Sequence, residues 1–167
     1  GVTGTNGKST TASMIHHTLN ANAIDSHLGG NIGGSLLDRV DTVGDQTWIV
    51  LELSSAMLWW LHEEATNEPG WSPAVAVITN ISPNHLDWHG DERHYMMCKE
   101  QITRNQLPGD KCLRGDHVSG RATPMPLSIP GRHNQDNAHL AVMAASAATG
   151  IAPGNAARGL ADFTGLP

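Results

Sequence analysis

Gly4-Thr5-Asn6-Gly7-Lys8-Ser9-Thr10 decides the fold. Val2-Thr3 precedes it, and Ser9–Asn20 follows with Met14, Ile15 and Leu19 on a helical spacing. The N–H groups that open a helix lack intrahelical partners, and the helix dipole favours an anion beside them. Glycines let the backbone wrap closely around a phosphate. Lys8 supplies a cation for the terminal phosphate oxygens, and the Ser9 hydroxyl suits Mg²⁺. The pattern is G-x-x-G-K-S; the longer common phosphate loop has a glycine where Val2 stands. A glycine-rich turn that merely caps a helix through Ser9 is the alternative, and Gly-Lys-Ser-Thr at a strand–helix junction argues against it.

Further along, Thr47–Leu53 and Ala74–Thr79 carry short continuous apolar runs, as do strands covered on both faces. Glu92–Gln106 is expected to be a helix stopped by Pro108-Gly109, and Lys111–Leu113 a short strand. Asp116–Pro130 has the character of a loop. Asn134–Thr149 is an alanine-rich helix ended by Gly150, and Pro153–Asp162 a last short helix. Strands alternating with helices predict an α/β fold of the P-loop type, a mainly parallel sheet flanked by helices. At most three residues of strand precede the loop, so residues 1–167 are expected to be one domain of a longer protein.

At 167 residues the chain has the size of a single domain with a real core. Apolar residues make up 39 % and charged ones 16 %, a globular composition. Acids exceed bases by 16 to 10, and the few Lys and Arg are scattered, which argues against nucleic acid as a partner. No apolar run reaches the roughly 20 residues of a membrane helix, and the first residues show no signal-peptide pattern. Cys98 and Cys112 form no CxxC pair, which fits a reducing compartment. A cytoplasmic location is therefore expected.

Glu52 ends a predicted strand, at the edge where α/β sheets place their sites, and His85 follows the next long strand on the same edge. Each has an unremarkable alternative: a solvated acid, and one of ten histidines without a role. Lys99, inside the predicted helix from Glu92, reads by itself as a solvated lysine. Asn134 and Asn137 share a helix face, and an amide suits the edge of adenine; His133-Asn134 also reads as an N-cap. Asn31, in a glycine-rich loop, has a left-handed turn as its structural reading. Ser54 and Ser55 lie beside Glu52. No G-x-S-x-G elbow supports a Ser-His-Asp hydrolase.

Thr3-Gly4-Thr5-Asn6-Gly7-Lys8-Ser9-Thr10 resembles the ATP loop of the Mur ligase family, the ADP-forming ligases of peptidoglycan precursor assembly. Gly29-Gly30-Asn31-Ile32-Gly33, Leu51-Glu52-Leu53-Ser54-Ser55, Asn80-Ile81-Ser82-Pro83-Asn84-His85-Leu86-Asp87, Gly131-Arg132-His133-Asn134 with Asn137, and Phe163-Thr164-Gly165-Leu166-Pro167 resemble further family blocks in the family's order. The resemblance implies the central ATP-binding domain of a three-domain enzyme. It implies the small-molecule substrates UDP-N-acetylmuramoyl-L-alanine and D-glutamate, joined through an acyl phosphate with ATP and Mg²⁺. Gly4 to Thr10, Asn134 and Asn137 would hold the nucleotide; Asn31 and Ser54 would touch substrate. Ser9, Glu52, His85 and a carbamylated Lys99 would serve magnesium, with Lys8 on the phosphate. Alternatives within reach of the same motifs are another Mur ligase, a folylpolyglutamate synthetase, and a nucleotide-binding module without ligase chemistry.

The sequence departs from that pattern in places. Asn84 stands where many relatives have Asp, and Trp88 where they often have Arg. Arg114-Gly115-Asp116 replaces a more usual Asn-x-Asp-Asp turn, and the stretch to Pro130 is short. In Leu58-Trp59-Trp60-Leu61 the two tryptophans cannot both point inward from a regular element.

Overall fold

The computed structural model describes residues 1–62, 70–118 and 123–166. Five strands form one fully parallel sheet: β1 (Val2–Thr3), β2 (Ser26–Gly30), β3 (Trp48–Glu52), β4 (Val75–Ile78) and β5 (Lys111–Arg114), in the order β2-β3-β1-β4-β5. Two-residue β1 is central, with Val2 in register with Glu52 on one side and Val77 on the other. Each parallel step needs a crossover, and helices supply it. They are α1 (Lys8–Ala21) between β1 and β2, a 3₁₀ helix (Leu37–Thr42) between β2 and β3, α2 (Ser55–Trp60) between β3 and β4, and α3 (Leu86–His89) with α4 (Glu92–Glu100) between β4 and β5; α5 (Arg132–Thr149) and α6 (Pro153–Arg158) follow β5.

Apolar side chains alternate along the strands into two cores. On one face Val2, Val50 and Val77 meet Met14, Ile15 and Leu19 of α1 and Leu140, Ala141 and Ala144 of α5. Ala138, Ala141, Ala144 and Ala145 of α5 are buried, and their small side chains let α1 approach closely. On the other face Leu53, Ala76 and Ile78 pack against Leu58 of α2 and Ile102 beyond α4. Helix ends follow local chemistry. Ser54 accepts from the Met57 N–H, Asp91 accepts from the His94 N–H at 2.7 Å, and Gly150 ends α5 at φ 77°.

The predicted parallel α/β fold is therefore found, with local differences. The helix expected over Glu92–Gln106 ends at Glu100 and tightens into a 3₁₀ turn over Gln101–Thr103. The last helix stops at Arg158 instead of Asp162. A 3₁₀ turn, Gly115–His117, opens the segment expected to be a loop, of which residues 119–122 lie outside the described region. Strand β2 has no forerunner in the sequence reading, because Ser-His-Leu-Gly-Gly holds one apolar residue. Trp60 is exposed while Trp59 is half-buried, as adjacent positions on a helix require.

Ala141 is fully buried between α5, α1 and the sheet. Ala141→Leu is expected to lower stability by about 1–3 kcal/mol through overpacking. Urea unfolding would show it as a lower midpoint at unchanged slope. An unchanged midpoint would mean that this interface has room to spare.

Candidate functional site

Three segments meet at the carboxyl edge of the sheet: Gly4–Gly7 after β1, Glu52–Ser55 after β3, and Thr79–His85 after β4. The phosphate loop is held by the third of these. Thr79 Oγ1 donates to the Asn6 carbonyl at 2.6 Å and Asn80 Nδ2 donates to the same oxygen at 2.9 Å. Asn80 Oδ1 accepts from the Asn6 N–H at 3.0 Å, and the Asn80 carbonyl accepts from the Thr5 N–H at 2.7 Å. Thr5 Oγ1 accepts from the Ser82 N–H at 2.9 Å and lies 3.0 Å from the Tyr95 hydroxyl. Gly4 and Gly7 have φ of +145° and +79°; a Cβ would overlap Thr79 Oγ1 at the first and the Asn137 amide at the second. Only glycine meets both demands.

Lys8 opens α1 and its Nζ donates to the Thr5 carbonyl at 3.0 Å. Glu52 is not the solvated strand-end acid of the simpler reading, since it is 1 % exposed. Its Oε1 accepts from Asn31 Nδ2 at 3.0 Å, and its backbone carbonyl accepts from the Asn31 N–H at 2.9 Å. Its Oε2 is buried with no hydrogen-bond partner. Asn31 is not a left-handed turn residue: among the described non-glycine residues only Ala23 and His85 have positive φ. Its side chain is engaged in orienting Glu52.

Lys99 corrects the reading of a solvated lysine. It is 2 % exposed, with Nζ 4.7 Å from the centre of the Tyr95 ring. Burial and, next, the nearby Lys8 charge lower its pKa from 10.5 to about 8, against a smaller upward pull from Glu52. His85 is exposed, at φ 51°, and caps α3. Thr5, Lys8, Asn31, Ser54, His85, Tyr95 and Lys99 line one cleft of about 460 Å³. The Ser54 hydroxyl is the N-cap of α2, accepting from Met57 N–H at 3.1 Å. In the same cleft Ser55 Oγ lies 2.9 Å from His89 Nε2, but His89 Nδ1 faces His94 Nδ1 and not a carboxylate, so no hydrolytic triad is assembled.

A second cavity, about 390 Å³, lies on the far side of the loop, bordered by Thr79, Asn80, Met96, Arg114, Asp116, His133, Asp136 and Asn137. Of the two asparagines read as sharing an adenine site, only Asn137 lines it. Asn134 is no N-cap; it sits inside α5, which Gly131 precedes, and its Nδ2 donates to the Pro130 carbonyl at 2.6 Å. Sequence reasoning gave no role to Thr79, Asn80, Tyr95 or Arg114. The Asn80-Ile81-Ser82 block was visible, but its bonding to Asn6 depends on β4 lying beside β1. Arg114 is fixed by Glu100, with contacts of 2.8 and 3.0 Å.

A parallel sheet, a glycine loop opening a helix, and a buried acid and amine beside it define an α/β domain of the P-loop type. The chain belongs to the Mur ligase family: residues 2–113 match the Mur ligase middle domain. It is 34 % identical to the UDP-N-acetylmuramoylalanine--D-glutamate ligase of Symbiobacterium thermophilum over 211 aligned positions, covering 99 % of this chain and 44 % of that one. With the same ligase of Roseiflexus sp. it shares 44 % identity over 110 positions, 66 % of this chain and 22 % of the relative. The chain thus spans less than half the length of these relatives. Among solved structures, a UDP-N-acetylmuramoyl-L-alanyl-D-glutamate--2,6-diaminopimelate ligase superposes with TM-score 0.72 at 18 % identity, covering 99 % of this chain and 46 % of that one. MurF from Acinetobacter baumannii gives 0.69 at 18 %, covering 96 % and 45 %. These establish the shared fold. Among the described residues no helix is long and apolar enough to cross a membrane.

The burial of Lys99 makes a pH prediction. Its folded pKa, about 8, lies below the ordinary 10.5. Below both values each state holds the proton and burial of the ammonium costs stability. Between them the unfolded chain holds more protons, so stability rises with pH, and above 10.5 that cost is gone. Urea unfolding should show this rise between pH 8 and 10.5 in the parent and a flatter profile in Lys99→Met. Equal slopes would place Lys99 in solvent.

Proposed function

We propose that the chain is the central, ATP-binding domain of a cytoplasmic ADP-forming amide ligase that adds D-glutamate to UDP-N-acetylmuramoyl-L-alanine in peptidoglycan synthesis. Flanking domains of the same polypeptide would bring the UDP-sugar and the amino acid. The observation that carries the reading is Glu52, a fully buried carboxylate with one oxygen fixed by Asn31 and the other unpartnered. An anion left in that state at the mouth of a phosphate loop suits a hard cation.

The donor set fits magnesium. Glu52, the Ser9 hydroxyl, His85 and Lys99 would hold the ion, with Lys99 contributing after carbamylation. Carbamylation requires a free amine, and the lowered Lys99 pKa supports one near neutrality. The ammonium would first lose one proton; carbon dioxide would then add to the neutral Nζ with loss of a second, turning a cation into a two-oxygen anion. Magnesium, when bound, would neutralise phosphate charge. The loop N–H groups and Lys8 would bind the phosphates, and Asn137 in the second cavity would meet the adenine edge. The substrate carboxylate would take the γ-phosphoryl group, giving an acyl phosphate and ADP. The glutamate amine would then attack the carbonyl carbon, lose a proton and expel phosphate. Lys8 would stabilise charge on the transferring group.

Calorimetry of the chain with Mg-ATP tests the nucleotide site. Lys8→Ala is expected to cost about 1.5–3 kcal/mol, roughly ten- to hundredfold in Kd. Glu52→Gln and His85→Ala should weaken magnesium-dependent binding without loss of the far-UV spectrum. In the complete polypeptide, phosphate release should need both UDP-N-acetylmuramoyl-L-alanine and D-glutamate. Release with a different amino acid would reassign the substrate, and unchanged binding by Lys8→Ala would remove the nucleotide site. Short-chain carboxylic acids should partly restore ligation in Lys99→Ala; parental activity in that variant without them would show an ordinary lysine.

A further inference from the structure

His89, His94 and Cys98 form a cluster that the ligase reading does not use. His94 and Cys98 are one turn apart on α4, and His89 ends α3. One nitrogen from each histidine and the thiol sulfur all lie within 4.8 Å of one another. The two Nδ1 atoms face each other at 2.9 Å, and Cys98 Sγ is 3.8 Å from His94 Nε2 and 3.9 Å from His94 Nδ1. His89 and Cys98 are buried, and His94 is half-buried and opens the cluster to solvent.

We propose that His89, His94 and Cys98 bind a borderline-soft divalent cation of the zinc class, at a site separate from the magnesium donors around Glu52. Two imidazoles and a thiolate select such an ion over magnesium, which prefers oxygen. Bonds of about 2.0–2.1 Å to nitrogen and 2.3 Å to sulfur at tetrahedral angles separate the donors by roughly 3.3–3.6 Å. The Nδ1–Nδ1 distance of 2.9 Å and the Cys98 Sγ–His94 Nδ1 distance of 3.9 Å lie on either side of that spacing, and the His89–Cys98 pair lies within 4.8 Å, so rotation of these side chains would close the donor set around one ion. An outer contact is already present: Ser55 Oγ lies 2.9 Å from His89 Nε2 and fixes the ring with Nδ1 toward the cluster. Trp59 covers one side, its ring centre 5.0 Å from that of His94.

On binding, the proton that one Nδ1 donates to the other moves to Nε2 of its own ring, so that both imidazoles coordinate through Nδ1 with their protons on Nε2, and the Cys98 thiol proton is released to solvent. Three protein donors leave a fourth position for water. The ion would staple α3 to α4. His85 caps α3 and lines the cleft, so the staple would also fix the approach of His85.

Titration of the chain with Co²⁺, with a phosphine as the only reductant, tests this. One Co²⁺ per chain should give a thiolate-to-metal charge-transfer band that Zn²⁺ abolishes. Cys98→Ser and His94→Asn should each lose the band, whereas Cys112→Ser, at the other free and exposed thiol, and Glu52→Gln should keep it. Ser55→Ala should weaken Co²⁺ binding roughly tenfold. If Cys98→Ser fails to fold by circular dichroism, the half-buried His94 position decides. A parent without the band, or a band that survives His94→Asn or depends on Cys112, overturns the site.

Discussion

Two hydrogen bonds to one carbonyl, from Thr79 Oγ1 and Asn80 Nδ2 to Asn6, hold the phosphate loop where it is. Strand β1 pairs through only two residues, too few to fix the path of the chain beyond it. A loop that binds anions must keep its N–H groups free for the ligand, so it cannot be pinned through all of them. Here Thr79 and Asn80, just beyond β4, take the Asn6 carbonyl and the Thr5 and Asn6 N–H groups, and leave the N–H groups that open α1 without intrahelical partners. The side chain of Asn80 binds both polar groups of one peptide-bonded residue, as an amide with a donor and an acceptor can.

That placement brings buried charges together. Lys8 and Glu52 both act on the buried Lys99, Lys8 lowering its pKa and Glu52 raising it. The protein moderates this by directing the Lys8 ammonium to the Thr5 carbonyl and by setting Lys99 over Tyr95, whose ring face is electron-rich. Glu52 is kept in one orientation by Asn31, at the cost of an unpartnered oxygen. Such an arrangement contributes little to stability by itself.

Much of this was legible in the sequence where local chemistry is decisive. The loop, the helix it opens and the two apolar strands follow from glycine, lysine and short β-branched runs. Strand β2 was not, because its pairing comes entirely from β3 while its own residues carry little β-preference. The burial of Lys99 was hidden for a similar reason: a lysine in a short polar helix reads as solvated, and only the packing of α4 over the phosphate loop removes it from water. Asn134 and Asn137 were correctly read as lying on one helix face, yet the chain leaving Pro130 occupies the first, and periodicity cannot report that.

Helix α4 shows how a nine-residue element can serve two environments at once. Tyr95 and Lys99 are four apart and face the phosphate loop and its oxygen-rich cleft. His94 and Cys98 are also four apart, displaced by one residue, and face α3 with nitrogen and sulfur. A step of one residue turns a helix by about 100°, enough to separate a hard-donor surface from a soft-donor one across the helix. Any motion of α4 would still be felt by both, because Lys99 follows Cys98 directly in the chain.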